Sequence, residues 1–424
     1  MEADSSSSTF RQVPSTILSS SESDEKMPPG IIAVRILFWM AMKSVNLLYI
    51  PVLATRLFKK SKKCPPIQDQ ILLLSAAELA DRIRNRQISC ETVIKAYISR
   101  IQEVNPIINA IIEDRFQEAL EDAKKVDALL AGPSVNLEEL KEKCPLLGVP
   151  ITIKGSIEVK NMKSTSGMVK RADIIAKEDA VTVKYAREAG AIILLTSNIP
   201  ELCLNWESTN KLIGTTKNPY NTTRTCGGSS GGEVGYKIAL FCFLVNGIGP
   251  DRFLIERFAE KYLPLLRYAP ELSSIVLLDI DDVDNLFTGK GDGSVMELLR
   301  YMTFRSNSVI TSILYGLLRK LSKHVPRSTT EYCTRKLDEL KSDFIKLLGK
   351  DGVLLIPSFT AEAHHHGEIF RKALDSAYLS IFNALGLPVT NCPVRFTKGG
   401  LPVGIQVRNN ECFEGASDEL FSVQ

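Results

Sequence analysis

The sequence predicts an α/β protein, and two observations support that prediction. From residue 148 onward, strand and helix patterns alternate: a short strand is predicted at Gly148–Lys154, a helix at Asp179–Ala189 with Gly190 as its cap, and a second strand at Ala191–Leu195. Such alternation is typical of α/β architecture. The chain of 424 residues is also globular in composition, with 44% hydrophobic and 24% charged residues, which excludes a mostly disordered or fibrous protein.

The pattern before residue 148 is helical. Ser75 and Glu78 have the spacing of a capping box and are predicted to open a short helix. A second helix is predicted over Cys90–Val104, and it should stop at Asn105–Pro106 because the residue before a proline disfavours helical backbone. A helical pattern continues over Ala110–Ala131.

Charge and cysteine content exclude several classes of protein. The 52 basic and 49 acidic residues leave a net charge of only +3, so no overall basic field predicts nucleic acid as a partner. Nine cysteines without regular spacing argue against a disulfide framework. The run His364–His366 has no second ligand cluster beside it in the sequence, and adjacent residues cannot all face one ion. It predicts a loop and no metal site.

The N-terminal region combines a polar tail with an apolar segment. Residues 1–30 are rich in Ser, Glu, Asp and Pro and are predicted to be a disordered tail. Within residues 31–58, Ile36–Thr55 holds nine Ile, Leu, Val or Phe residues, each favouring insertion by about 0.3–0.6 kcal/mol, whereas Lys43 costs about 2.5–3.5 kcal/mol at mid-span. This balance predicts a marginal transmembrane helix; an amphipathic helix lying on a membrane or packed in the core is the alternative.

Basic residues follow this apolar segment at once and give it an expected orientation. They are Arg56, Lys59, Lys60, Lys62 and Lys63. Only Arg35 is close on the other side, where the tail is acidic. Because loops rich in Lys and Arg stay on the cytoplasmic side, we expect a single-pass membrane protein whose C-terminal domain is cytosolic.

Two short motifs could carry chemistry. Gly227–Gly232 reads Gly-Gly-Ser-Ser-Gly-Gly; its glycines permit close backbone approach to a ligand, although a flexible linker has the same composition. Lys154 ends an apolar strand. Burial lowers the pKa of a lysine and makes the amine a usable base, although a surface lysine at a strand end is the commoner case.

Together these motifs resemble the amidase signature family, and within it the membrane-bound fatty-acid amide hydrolases. The resemblance is good over residues 74–233 and patchy over 249–407. It implies an α/β/α fold with a mixed central sheet over residues 74–420. The segments that carry it are Gly148–Lys154, Ser164–Gly167, Thr196–Leu202, Gly227–Glu233, Ala384–Thr390 and Gly400–Val407.

The resemblance also implies a Ser–Ser–Lys triad that hydrolyses amides without metal or cofactor. Lys154 would be the base, Ser229 would relay the proton from within a cis peptide, and Ser230 would be its hydrogen-bonding neighbour. Cys203 matches a position lining the acyl pocket, although a buried core cysteine fits equally well. The implied partners are a lipid-like amide substrate bound by Cys203, Ser229 and Ser230, a membrane and a possible homodimer mate.

One departure from the family bears directly on catalysis. In the family a helix and then Asp-Ile-Gly-Gly-Ser follow the glycine motif; the last serine is the nucleophile, and glycine amides form the oxyanion hole. Here Val234 and the residues after it match nothing in that stretch, and no other Gly-Gly-Ser occurs. The chain therefore departs in the middle and again after Val407, and its nucleophile is unknown. Ser294, after Gly-Asp-Gly, is a weak substitute that is better explained as a surface turn.

The sequence thus predicts an amidase-family hydrolase of the fatty-acid amide hydrolase type that is inactive as written. Two alternatives stay open. One is a non-catalytic, membrane-bound relative that binds lipid or a partner. The other is a splice or gene-model variant that has lost a segment between Glu233 and Val234.

Overall fold

The computed structural model describes residues 59–133, 135–240, 293–322, 326–348, 354–376 and 389–408, together with residues 379, 381, 382 and 385. The predicted tail at 1–30 and the predicted membrane segment at 31–58 lie outside them. Among the helices that are described, none has both the length and the apolar character needed to cross a bilayer.

Four helices occupy the N-terminal part of the described chain. They are α1 (Ala76–Arg84), α2 (Cys90–Ile108), α3 (Phe116–Ala131) and α4 (Leu137–Lys143). The predicted capping box is confirmed, since Ser75 Oγ accepts the Glu78 amide and the Glu78 carboxylate accepts the Ser75 amide.

The predicted stop at Asn105–Pro106 is wrong, because α2 runs through Pro106 to Ile108. Ile108 is fully buried, so the last turn of the helix contributes to the core. The helix ends instead at Asn109, which has a left-handed backbone at φ 54°. The Asn105 side chain accepts the Ala110 amide at 2.8 Å and supports this turn.

The continuous helical pattern over Ala110–Ala131 is also corrected. Its first part is a strand, β1 (Ile111–Asp114), which pairs antiparallel with a later strand. The two β-branched isoleucines at its start suit a strand, and pairing across the sheet overrides the local helical pattern. Helix α3 begins only at Phe116.

The two predicted strands after residue 148 are confirmed and form the centre of a mixed sheet. β2 (Pro150–Lys154) pairs parallel with β3 (Ile192–Ser197), and β1 pairs with the other edge of β3, so the order is β1–β3–β2. Helix α5 (Val181–Glu188) connects β2 to β3, and Gly190 follows it with φ +91°. Every residue of β3 is buried.

The largest apolar cluster lies where α1, α2 and α3 cover this sheet. Its fully buried members include Ile83, Ile94, Ile101, Ile108 and Leu194. A smaller cluster on α5 and the adjacent loop packs around Ile193 of the same strand. Helices therefore supply apolar contacts to the sheet and fix the position of its strand ends.

The remaining described elements follow β3. They are the short strands β4 (Thr209–Asn210), β5 (Gly214–Thr215), β6 (Lys217–Asn218) and β7 (Asn221–Thr225), the helices α6 (Gly231–Leu240), α7 (Ser294–Met302), α8 (Ile310–Ser322) and α9 (Arg327–Leu348), and the strands β8 (Leu354–Pro357), β9 (Thr390–Phe396) and β10 (Pro402–Arg408). The last three strands form an antiparallel sheet in the order β8–β10–β9.

Candidate active site

Lys154 is the last residue of β2, where the strand leaves the mixed sheet. It pairs in register with Ser197 at the end of β3. Its Nζ donates a hydrogen bond of 2.8 Å to Ser229 Oγ. Two residues separated by 75 positions in the sequence are thus brought together, and both side chains are only partly buried.

The loop that carries Ser229 fits closely against its neighbours. The Gly228–Ser229 peptide bond is cis, as the family resemblance implied. A Cβ atom on Gly228 would lie 2.8 Å from the Asn205 carbonyl oxygen and 3.0 Å from the Glu207 amide nitrogen. Because both neighbours are backbone atoms, only glycine allows this approach.

Asn198 connects the loop to the end of β3. Its carbonyl accepts the Gly232 amide at 2.9 Å, and its amide donates to the Ala110 carbonyl at 2.8 Å. Its buried side chain donates to Thr216 Oγ1 and accepts from the Asn210 amide group. The polar groups at this strand end are therefore used to fix the start of α6.

Ser230 takes part in the structure through its backbone. Its carbonyl accepts the Val234 amide at 3.0 Å in the first turn of α6. The neighbouring Gly231 amide donates to Ser208 Oγ at 3.0 Å, and Ser208 itself is fully buried. Ser208 is a supporting residue that the sequence alone did not indicate.

Glu233 and Thr152 form a second contact between α6 and β2. The Thr152 hydroxyl donates to one carboxylate oxygen of Glu233, and the other carboxylate oxygen is buried with no hydrogen-bond partner. Thr152 and Lys154 alternate along β2 and so share one face of the strand.

Cys226 precedes the glycine loop and could itself be considered as a nucleophile. It is buried, and its thiol donates to the Thr216 carbonyl at 3.4 Å. Burial raises the pKa of the Cys226 thiol well above its ordinary value. The reactive species of a cysteine is the thiolate, so Cys226 is a structural residue at neutral pH.

Cys203 and Ser294 lie on other elements. Cys203 ends the short turn Glu201–Cys203 and is partly buried, with φ 58°. The expected surface turn at Ser294 is wrong, because Ser294 is the first residue of α7 and is 1% exposed. Its position in the first turn of a packed helix explains the burial.

The three histidines occupy a loop, as expected, and the loop contacts the residues beside the glycine motif. His366 Nδ1 lies 2.7 Å from Glu207 Oε1, and the second Glu207 carboxylate oxygen accepts the Gly367 amide. Burial lowers the pKa of His364 below its ordinary value. Within the described part of the chain, no group of His, Cys, Asp or Glu residues is arranged to hold a metal ion.

The sequence of this chain is similar to those of known proteins. The Amidase family profile matches residues 92–251. Fatty-acid amide hydrolase 2-B of Danio rerio is 32% identical over 475 residues, which covers 84% of this chain and 89% of the relative. Fatty-acid amide hydrolase 2 of Homo sapiens is 30% identical, with 82% and 87% covered.

The chain belongs to the amidase signature family. Its fold agrees with solved structures of that family, including a fatty acid amide hydrolase with a TM-score of 0.55, 17% identity, and 84% of this chain and 86% of that chain covered. A 6-aminohexanoate cyclic dimer hydrolase gives the same TM-score and identity, with 84% and 96% covered.

The alignment with fatty-acid amide hydrolase 2-B of Danio rerio also shows a difference in length. The alignment is 475 positions long, but the matched part of this chain, 84% of 424 residues, holds only about 356 residues. About 119 positions of the relative within the alignment therefore face a gap in this chain. These positions lie within the matched region and are independent of where the chain begins or ends. The amidase fold is therefore present in a form shortened internally relative to this family member.

The described arrangement places a lysine amine beside a serine hydroxyl. A serine hydroxyl attacks an amide only when a base takes its proton, and lysine is one such base in this kind of chemistry. A base and the hydroxyl it serves must lie within about 2.6–3.2 Å of each other. The distance from Lys154 Nζ to Ser229 Oγ is 2.8 Å and meets this requirement.

Proposed function

We propose that Lys154 and Ser229 form the proton-relay half of a Ser–Ser–Lys site for amide bonds in lipid-like substrates, and that this chain as written does not complete the reaction. The observation that carries the proposal is the 2.8 Å contact between Lys154 Nζ and Ser229 Oγ in a chain without the family's Asp-x-Gly-Gly-Ser segment. Every catalytic group in the proposal is a side chain or a backbone amide.

In a complete site the missing serine would attack the amide carbonyl. Its proton would pass to Ser229 and from there to Lys154, which would return a proton to the leaving amine. Backbone amides would stabilise the oxyanion, and water would then hydrolyse the acyl-enzyme. Lys154 and Ser229 supply the proton path, whereas the nucleophile and the oxyanion donors come from the segment that is absent.

The contribution that oxyanion-hole donors and a nucleophile make to the reaction rate supports the proposed inactivity of this chain. Loss of one oxyanion-hole donor typically costs about 2.7–4 kcal/mol, or roughly 10²–10³ in rate. Here the donors and the nucleophile are lost together.

Similarity to the fatty-acid amide hydrolase 2 relatives supports a lipid-like amide as the ligand class. Cys203 would line the acyl pocket, and Ser229 and Ser230 would contact the amide. We further propose a single membrane anchor within residues 31–58, a cytosolic C-terminal domain and self-association as a homodimer. Retention of the chain in carbonate-washed membranes, and its release when residues 1–58 are deleted, would support the anchor; carbonate extraction of the intact chain would contradict it.

The experiment compares two proteins on a long-chain primary amide. One is the chain as written, and the other carries the zebrafish relative's missing segment between Glu233 and Val234. Amine release should be detected only from the restored protein. Turnover by the chain as written would overturn the proposed inactivity. A restored protein that folds, by thermal unfolding, but does not turn over the amide would contradict the proposed proton relay.

A further inference from the structure

A cavity of about 420 Å³ lies apart from the Lys154–Ser229 contact. It is an open concave site bordered by the segment entering the domain, the last turn of α2, the β6–β7 hairpin and the histidine loop. Its lining residues are Lys59, Lys60, Lys62, Pro106, Ile107, Lys217, Thr222, Thr223, His365 and His366. Its volume falls in the range of sites that bind small ligands, about 300–1,000 Å³.

The entering segment is fixed to the folded body by backbone contacts. The Lys62 amide donates to Thr222 Oγ1 at 2.8 Å, and the Thr222 amide donates to the Lys62 carbonyl at 3.0 Å. Two residues later, the Cys64 amide donates to the Pro219 carbonyl at 2.8 Å. The lysines of this segment are therefore held beside Lys217 of the hairpin.

The charge that lines this cavity is positive. Among the described residues, Lys59, Lys60, Lys62 and Lys217 form no ion pair with an acidic side chain. The carboxylate behind the histidine loop belongs to Glu207, which is 3% exposed and already binds His366 and the Gly367 amide.

The chemistry of the lining indicates a polyvalent anion. Four lysines lining one concave space favour a ligand that carries several negative charges, and lysine binds phosphate as a compact point charge. The Thr222 and Thr223 side chains add polar groups to the same wall. A phosphate-bearing ligand of small-molecule size matches both the charge and the volume.

The place of the cavity in the chain indicates the source of that phosphate. Lys59 follows the apolar stretch Ile36–Thr55 by only four residues. Clusters of basic residues next to a membrane segment attract anionic lipids, each Lys near the surface contributing about fivefold in affinity. We propose that this cavity binds the phosphorylated headgroup of an anionic lipid. The site is separate from the proposed amidase chemistry, and the lipid source rests on the membrane anchor proposed above for residues 31–58.

The test uses the full chain in micelles of a neutral detergent. Calorimetry measures binding of dioctanoyl phosphatidylinositol bisphosphate, free inositol trisphosphate and dioctanoyl phosphatidylcholine. The variant is Lys62→Gln/Lys217→Gln. The matched control is Lys177→Gln/Lys398→Gln, which removes the same charge from exposed positions away from the cavity.

The phosphoinositide should bind and the phosphatidylcholine should not. The cavity variant should lose about 30-fold in affinity, as expected for two lysines, and the control should lose less than about threefold. Equal losses in both variants would overturn the site, because they would show a non-specific charge effect. Free inositol trisphosphate binding as tightly as the lipid would overturn the lipid source and assign the cavity to a soluble phosphate ester.

Discussion

The loop at Gly227–Glu233 and the turn at Gly293–Ser294 both place a serine after a glycine and next to a helix. In the first, Ser229 is partly exposed and receives a hydrogen bond from Lys154. In the second, Ser294 is 1% exposed at the start of α7. The short sequence motif is similar in the two places, but Ser294 is buried, whereas Ser229 is partly exposed and bonded to Lys154.

The surroundings of the glycines explain the difference. A Cβ on Gly232 would lie 2.5 Å from the Asn198 amide nitrogen, whereas a Cβ on Gly293 would meet the end of the flexible Lys320 side chain. The first glycine permits two backbone segments to pack closely, and the second adjoins a side chain that can move. A glycine beside a serine indicates a site only where the fold makes glycine necessary.

The largest expected effect concerns the base at the first loop. In the protein with the restored segment, Lys154→Ala should lower kcat by about 10²–10⁴, the usual contribution of a general base. Lys160→Ala, an exposed lysine six residues later, is the matched control and should leave kcat unchanged.

Amide turnover at several pH values measures both variants. Normal turnover by Lys154→Ala would remove this lysine from the mechanism. An equal loss in Lys160→Ala would show damage to the fold instead.

Stability tests the glycine comparison. Gly232→Ala should destabilise the protein by about 1–3 kcal/mol, because overpacking against the Asn198 backbone cannot be relieved by a side-chain shift. Gly293→Ala should cost less than about 1 kcal/mol at a helix N-cap, since Lys320 can move. Gly235→Ala, in the same helix as Gly232 and with no neighbour closer than 3.5 Å, should be neutral or stabilising by up to about 1 kcal/mol.

Urea unfolding of the three variants gives these differences. Similar costs for Gly232→Ala and Gly293→Ala would contradict the proposed distinction between backbone and side-chain neighbours. A large cost for Gly235→Ala would show that the neighbours at 3.5 Å and beyond leave no room for a methyl group at this position.

The smallest expected effect is the pH dependence caused by the histidine loop. Burial lowers the pKa of His364 more than the nearby Glu207 and Glu368 carboxylates raise it. Near pH 6 the unfolded chain therefore binds more protons at His364 than the folded chain does. The contribution of His364 to the free energy of unfolding is complete above the ordinary histidine pKa of about 6.5, and it is lost as the pH falls toward the pKa of His364 in the folded chain. His364→Gln should flatten the change in melting temperature between pH 7.5 and 5. If the melting temperature changes equally with pH in the unaltered protein and in His364→Gln, other titratable groups cause the pH dependence.

Much of the loop at Gly227–Glu233 could be predicted from the sequence, because short motifs of neighbouring residues indicate it. The Gly-Gly-Ser-Ser-Gly-Gly motif and the lysine at the end of an apolar strand identified Ser229 and Lys154 only together, through their resemblance to the amidase signature family, and the structure places the two residues in contact. β1 was missed because pairing with β3 outweighs the helical pattern around Ile111. The burial of Ser294 depends on helix packing that no local pattern contains.

The supporting residues of the loop were also beyond local prediction. Ser208 and Asn198 bind backbone groups of α6 across loops of more than 20 residues, so their spacing forms no motif. Glu233 is a further case, because its contact with the Thr152 hydroxyl spans 81 positions in the sequence.

The central claim is that this chain holds a base and a relay serine but has no working nucleophile. A fluorophosphonate probe, which modifies activated serines, tests it most directly when applied to the purified full chain and to the restored protein. We expect labelling of the restored protein at the inserted serine and none of the chain as written. Stoichiometric labelling of the unaltered chain, mapped by mass spectrometry to Ser229 or Ser294, would contradict the claim and show that a rearranged site is active.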